Sequence, residues 1–81
     1  MNINVTTKFN IGDKVYMIER YEDYFPNKNV LTIKGISFDV DHDKQEIRYY
    51  VSAYGRIHSV PEHKLFTSYE ECTIWCDEHN D

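Results

Sequence analysis

The clearest pattern in the chain is a period of two over residues 46–54. Ile47, Tyr49, Val51 and Ala53 alternate with Arg48, Tyr50, Ser52 and Tyr54, the spacing of a half-buried strand from Glu46 to Tyr54. The polar run His42-Asp43-Lys44-Gln45 separates it from a longer strand, Val30 to Asp41, whose apolar positions change parity midway. Leu31 and Ile33 share one parity, Ile36, Phe38 and Val40 the other, and the switch falls at Lys34-Gly35. A one-residue slip turns every later side chain to the opposite face, so the pattern predicts a β-bulge or sharp bend at Gly35. A strand bent in mid-course is how a small sheet curls into a barrel.

The remaining elements are arranged around this hairpin. Residues 1–8 form a polar N-terminal arm in which Ile3 and Val5 alternate with Asn and Thr. Gly12-Asp13 is a turn signal, and the apolar run Val15-Tyr16-Met17-Ile18 is short enough for a strand. Arg20 to Asn29 is polar, aromatic and charged, contains Pro26-Asn27, and reads as an exposed loop. Tyr54-Gly55 marks a tight turn into a short strand, Arg56 to Val60. Pro61 ends that strand because it has no N–H for a ladder, and Pro61 to Lys64 reads as one helical turn. Ser68 and Glu71 stand in capping-box spacing and open a helix over residues 67–81. On it Tyr69, Cys72 and Cys76 share one face, Trp75 and His79 flank that face, and Ile74 points away. Strands followed by one helix exclude a parallel α/β sheet. The expected fold is mainly β: one domain, with an antiparallel SH3-like barrel of four to five strands over residues 9–66 and a C-terminal α-helix.

Composition adds three constraints. A chain of 81 residues buries roughly 60–65% of its unfolded surface, so the core is small. Seven Tyr, four Phe and one Trp provide bulky fillers for it, and tyrosine is also at home on binding surfaces. The net charge of −5 is unevenly placed: acids and bases balance over residues 1–67, whereas Glu70, Glu71, Asp77, Glu78 and Asp81 follow with no Lys or Arg. That tail is a poor phosphate-binding surface. No apolar stretch approaches the ~20 residues of a membrane span, no secretion signal is read at the N-terminus, and a cytoplasmic location with reduced cysteines is expected.

Two stretches carry a resemblance. Phe9-x-x-Gly12-Asp13-x-Val15-Tyr16 resembles the first strand of SH3-like barrels of the Tudor and KOW kind. Val60-Pro61-Glu62-x-x-Leu65-Phe66-x-Ser68-x-Glu70-Glu71 is similar to the end of small phage and mobile-element proteins of low-GC bacteria, in which a barrel closes on a Leu-Phe pair and a capped acidic helix. The resemblance implies a barrel without an assigned role, since a fold does not carry a site.

Cys72, Cys76 and His79 have donor atoms suited to zinc but lack a Cys-x-x-Cys knuckle, and read as core packing. Asp39-Val40-Asp41-His42-Asp43 imitates a calcium loop, yet Lys44 and Tyr50 stand where glycine and glutamate are required. Cys76 and His79 lack an oxyanion site and an orienting partner, so no catalytic set emerges and no cofactor or metal is expected. The expected function is a non-enzymatic protein-binding module, a phage or mobile-element accessory protein whose partner is a host or phage protein. Its candidate binding residues are Tyr21, Tyr24 and Phe25 in the loop, with Arg48, Tyr50, Tyr54 and Arg56 on the central hairpin. Two alternatives stand beside it. One is an acidic inhibitor that occupies a host protein's nucleic-acid site through Glu70, Glu71, Asp77, Glu78 and Asp81. The other is a KOW-like nucleic-acid-binding barrel using Arg48, Arg56 and the tyrosines.

Overall fold

Val15, Tyr16, Met17 and Ile18 form an unbroken apolar run because their strand is covered on both faces. In the computed structural model, which describes residues 6–80, the run lies in β1 (Lys14–Tyr21). The first five residues of the N-terminal arm and Asp81 lie outside the described residues. Val15 and Met17 turn into the main core, while Tyr16 and Ile18 turn the other way, into a second cluster beneath the C-terminal helix. The strands that follow are β2 (Asp23–Pro26), β3 (Leu31–Val40), β4 (Gln45–Ala53) and β5 (Arg56–Pro61). A single 3-10 turn (Glu62–Lys64) then leads to β6 (Leu65–Phe66) and to α1 (Tyr69–His79). All pairings are antiparallel, in the order β2-β1-β3-β4-β5, with β6 on β1.

The sheet is not closed into a barrel. Among the described residues no ladder joins β5 to β2, the two ends of the pairing path. The physical cause lies at Pro61, which offers no N–H, and in the 3-10 turn that diverts the chain before only Leu65 and Phe66 return to pair with Met17 and Tyr16. A second correction concerns residues 20–29. The expected loop is instead a hairpin: β1 continues to Tyr21 and β2 pairs back on it, Arg20 opposite Tyr24 and Ile18 opposite Pro26. Its strand character is hidden in the sequence because one face meets the helix and the other water, with charged residues on both.

The phase switch is a bulge, as its parity pattern requires. Pairing passes from Ile33–Val51 to Gly35–Tyr50, leaving Lys34 as the extra residue. Beyond it Ile36 faces Tyr49 and Phe38 faces Ile47, so both halves of β3 keep their apolar side inward. The bend lets β1 and β6 approach the inner face of β4 and β5, enclosing Val15, Leu31, Ile33, Tyr49, Val51 and Leu65. Each such side chain contributes about 1.5–3 kcal/mol on burial.

Tyr49 joins this core to the chain ends. Its ring is fully buried and lies edge-on to Phe9 at 5.3 Å. Its hydroxyl donates to Glu62 Oε2 and accepts from the backbone N–H groups of Lys8 (3.1 Å) and Phe9 (3.2 Å). Asn27 plays the corresponding part at the other end. It is the one buried polar residue of the described chain, and its Nδ2 donates to Glu19 Oε2 (3.2 Å) and to the Tyr54 hydroxyl (2.9 Å). Its Oδ1 accepts from Asn29 N–H at 2.8 Å. Tyr54 and Gly55 make the two-residue turn between β4 and β5 with φ of 53° and 73°. Both are positive, as a type I′ turn demands. For a tyrosine that conformation costs about 1–2 kcal/mol, and the bond to Asn27 returns about 1 kcal/mol.

Helix α1 is capped as its spacing predicts in one respect and differs in another. Ser68 Oγ accepts from Glu71 N–H at 3.1 Å, but the Glu71 carboxylate takes the Thr67 hydroxyl (3.0 Å) instead of reaching back to Ser68 N–H. Cys72 and Cys76 are buried against Ile18, and Trp75 packs between Tyr24 and Phe66. Among the described residues no helix is long and apolar enough to cross a membrane.

Tyr49→Phe keeps the ring but leaves Phe9 N–H without its acceptor, and should cost about 1–3 kcal/mol, read as a lower Tm at neutral pH. Burial first, then the hydrogen bond to Glu62, raise the Tyr49 pKa above 10.0, and burial pushes Cys72 up to about 12. The folded protein thus holds protons that the unfolded chain releases from about pH 9 at Cys72 and pH 10 at Tyr49, so stability is full below about pH 9 and is lost as pH rises. Thermal melts should show a shallower alkaline fall in Tyr49→Phe than in the parent; parallel curves contradict the assignment. Tyr54→Phe should lose about 1 kcal/mol, whereas Tyr54→Gly should be close to neutral, because glycine removes the left-handed strain together with the hydrogen bond. Equal losses in the two variants, by denaturant titration, would show that the backbone strain is absent.

Candidate functional site

The candidate binding residues do not form one surface. Tyr21 stands at the tip of the β1–β2 hairpin, 81% exposed, beside Glu22, which adopts φ 65° to reverse the chain. Tyr24 turns inward instead. Its ring meets Trp75 edge-on at 4.9 Å, and the Arg20 guanidinium lies 4.8 Å from the ring centroid. Its backbone N–H donates to Asn80 Oδ1 (2.7 Å) while its carbonyl accepts from Asn80 Nδ2 (2.8 Å). Tyr24 is therefore a strut that fastens α1 to the hairpin and has little surface to offer a partner. Phe25, on the alternate side of β2 and opposite Glu19, is 43% exposed.

The central hairpin carries the more coherent face. Helix α1 packs on β1, β2 and β6, so the outer side of β4 is open. Tyr50 lies across Gly35 so closely that a Cβ there would sit 3.1 Å from its Cδ2; the glycine of the bulge gives the ring its seat. Next to it, across the β4–β5 ladder, Ile57 pairs with Ser52 and Ser59 with Tyr50. Paired residues project to the same side, which places Ile57 (58% exposed) beside Tyr50. Arg48 is held at the far end by Glu46 (3.0 Å) and by Ser59, through Oγ (2.8 Å) and the carbonyl (3.0 Å). Arg56 pairs with Ala53, whose side chain faces the core. It leaves from the opposite side of the sheet and does not join Arg48 and Tyr50. Ile57 was missed in the sequence because β5 shows no useful alternation: Arg56, Ile57, His58 and Ser59 are all exposed.

This exposure follows from β5 being a terminal strand. In a ladder closed by a two-residue turn, Arg56, His58 and Val60 bond to β4, while Ile57 and Ser59 turn their backbone groups outward. The Arg48 guanidinium already covers the Ser59 carbonyl. Alongside this edge, between β5 and Met17–Arg20 of β1, lies a hollow of about 390 Å³. Arg20, Arg48, His58 and Lys64 line it, with Glu19 the acid among them.

The helix carries the opposite charge. Glu70, Glu71, Asp77 and Glu78 are all exposed on α1. Cys72 and Cys76 lie on its buried side, where burial raises both thiol pKa values and keeps them protonated. His79 is directed elsewhere: its ring stacks on Trp75 at 3.8 Å and its Nδ1 lies 2.8 Å from the Trp75 carbonyl. Among the described residues no three His, Cys, Asp or Glu side chains converge as metal ligands would.

With this geometry in view, the chain matches no protein-family model, no curated protein and no solved structure.

Proposed function

We propose that the chain is a non-enzymatic protein-binding module that takes an extended segment of its partner as an added strand along β5. The observation that carries this reading is the free edge of β5, with half-exposed Ile57 and Tyr50 beside its outward backbone groups. Edge strands of soluble proteins are usually blunted against such pairing. Here the blunting is confined to the far end, where Pro61 lacks an N–H and Arg48 covers Ser59. Strand addition draws affinity from main-chain hydrogen bonds and specificity from alternate side chains. The basic lining of the adjacent hollow favours an acidic segment. An SH3-like reading of the sheet is supported by the return of β6 to β1 through the 3-10 turn. A KOW-like nucleic-acid role has less support, because Arg48 is engaged by Glu46 and Ser59 and Arg56 lies on another face.

Panning a random-peptide display library against the purified protein tests the proposal. Selected peptides should be rich in acidic and β-branched residues, and amide exchange should slow at Ile57 and Ser59 on binding. Ile57→Lys and Tyr50→Ala should each weaken capture about tenfold, equivalent to about 1.4 kcal/mol, with Tm nearly unchanged because both side chains are partly exposed. Binding that leaves the Ile57 and Ser59 amides unprotected, or that survives both substitutions, would overturn it.

A further inference from the structure

Ile74 projects from the outer side of α1 and is 50% exposed. On a helix the nearest surface neighbours of a residue stand three and four positions away. For Ile74 those four positions are Glu70, Glu71, Asp77 and Glu78, so one apolar side chain sits inside a frame of four carboxylates. Next to it a groove of about 390 Å³ runs between α1 and β6. Phe66, Ile74 and Trp75 line its floor, Glu71 and Glu78 stand at its rim, and Lys8 is the cation across from them.

Nothing in the packing of α1 calls for this arrangement. The buried side is filled by Cys72 and Cys76, and Ile74 takes no part in either apolar cluster. Asp77 and Glu78 lie in the last turn, where the helix dipole presents negative charge and acids are disfavoured. Neighbouring carboxylates repel one another as well. A face that combines an apolar floor, an exposed isoleucine and four carboxylates against the one cation of Lys8 is complementary to a basic surface.

We propose that this face of α1 docks a basic, amphipathic helix of a partner protein. An apolar side chain of the partner packs against Ile74 and Trp75 while its Lys or Arg residues face Glu70, Glu71, Asp77 and Glu78. The groove runs beside a helix, the geometry in which an amphipathic helix lays its apolar stripe. Phosphate-bearing partners and anionic membranes are repelled by the same carboxylates. A second copy of the chain is a poor occupant, because its own helix carries the same acids. The site is on the element packed over β1, β2 and β6 and does not depend on the strand-addition reading of β5.

Trp75 lines the groove and is the only tryptophan in the chain, so its fluorescence reports occupancy directly. The probe is a synthetic tryptophan-free Leu/Lys amphipathic helix, with a Leu/Glu helix of the same apolar stripe as control. The Leu/Lys peptide should give a saturable change in Trp75 emission, with affinity falling about tenfold or more between roughly 50 and 300 mM salt. Ile74→Ser should weaken it about tenfold at fixed salt, as should the pair Glu71→Gln and Glu78→Gln, while Ile57→Lys leaves it unchanged. Far-UV circular dichroism of each variant confirms that α1 is intact; all three positions are exposed. Equal affinity of parent and Ile74→Ser reduces the effect to diffuse charge attraction and overturns the proposal. So does equal binding of the Leu/Glu peptide, or the absence of a saturable signal.

Discussion

The structure depends on one strand having two inner faces. β1 sends Val15 and Met17 into the main core and Tyr16 and Ile18 into the cluster beneath α1. It also has three partners along its length: β3 at Lys14 and Val15, β6 at Tyr16 and Met17, and β2 from Ile18 onward. A slip of one residue in β1 would exchange the two apolar sets and expose both cores at once. The registers of β2, β3 and β6 are therefore set by the same alternation. In a chain of 81 residues, where a single core is marginal, sharing one strand between two clusters increases burial without adding length.

Polar groups that enter this interior are fully engaged, and each ties distant parts of the chain. Tyr49 brings Glu62 and the Lys8–Phe9 backbone together, and Asn27 brings Glu19 and the Tyr54 turn together. Among the described residues no buried side-chain nitrogen or oxygen is left without a partner. An unpaired buried polar group costs more than a hydrogen bond contributes, so these two sites define positions and not merely stability. Tyr54 illustrates the point: its left-handed backbone is tolerated because its hydroxyl reaches a buried amide.

Charge is separated along the same lines. The acids of α1 lie over the β1–β2–β6 side, and the basic lining of the hollow lies against the free edge of β5. The two proposed docking faces therefore differ in the sign of their charge as well as in their backbone geometry. Ile57 and Tyr50 on one face, and Ile74 with its carboxylates on the other, stand outside both buried clusters, so substitutions at these positions separate binding from folding.

How much of this was legible in the residues depends on the range of the interaction. The bulge at Lys34-Gly35, the Tyr54-Gly55 turn, the 3-10 turn after Pro61 and the cap at Ser68 rest on neighbours a few positions apart, and each was readable as parity, φ requirement or spacing. The helix face bearing Cys72 and Cys76 was readable for the same reason. The hairpin at residues 20–26 was not, because Tyr24 owes its strand to Trp75 and Asn80, more than fifty positions away. Nor could Tyr50 and Tyr24 be told apart as outward and inward tyrosines, since composition is blind to which side α1 covers. Parity divides a strand into two faces; only the tertiary arrangement decides which face meets water. Closure was likewise undetermined, because it turns on whether β5 meets β2, the other end of the pairing path, a contact between residues that no local pattern relates.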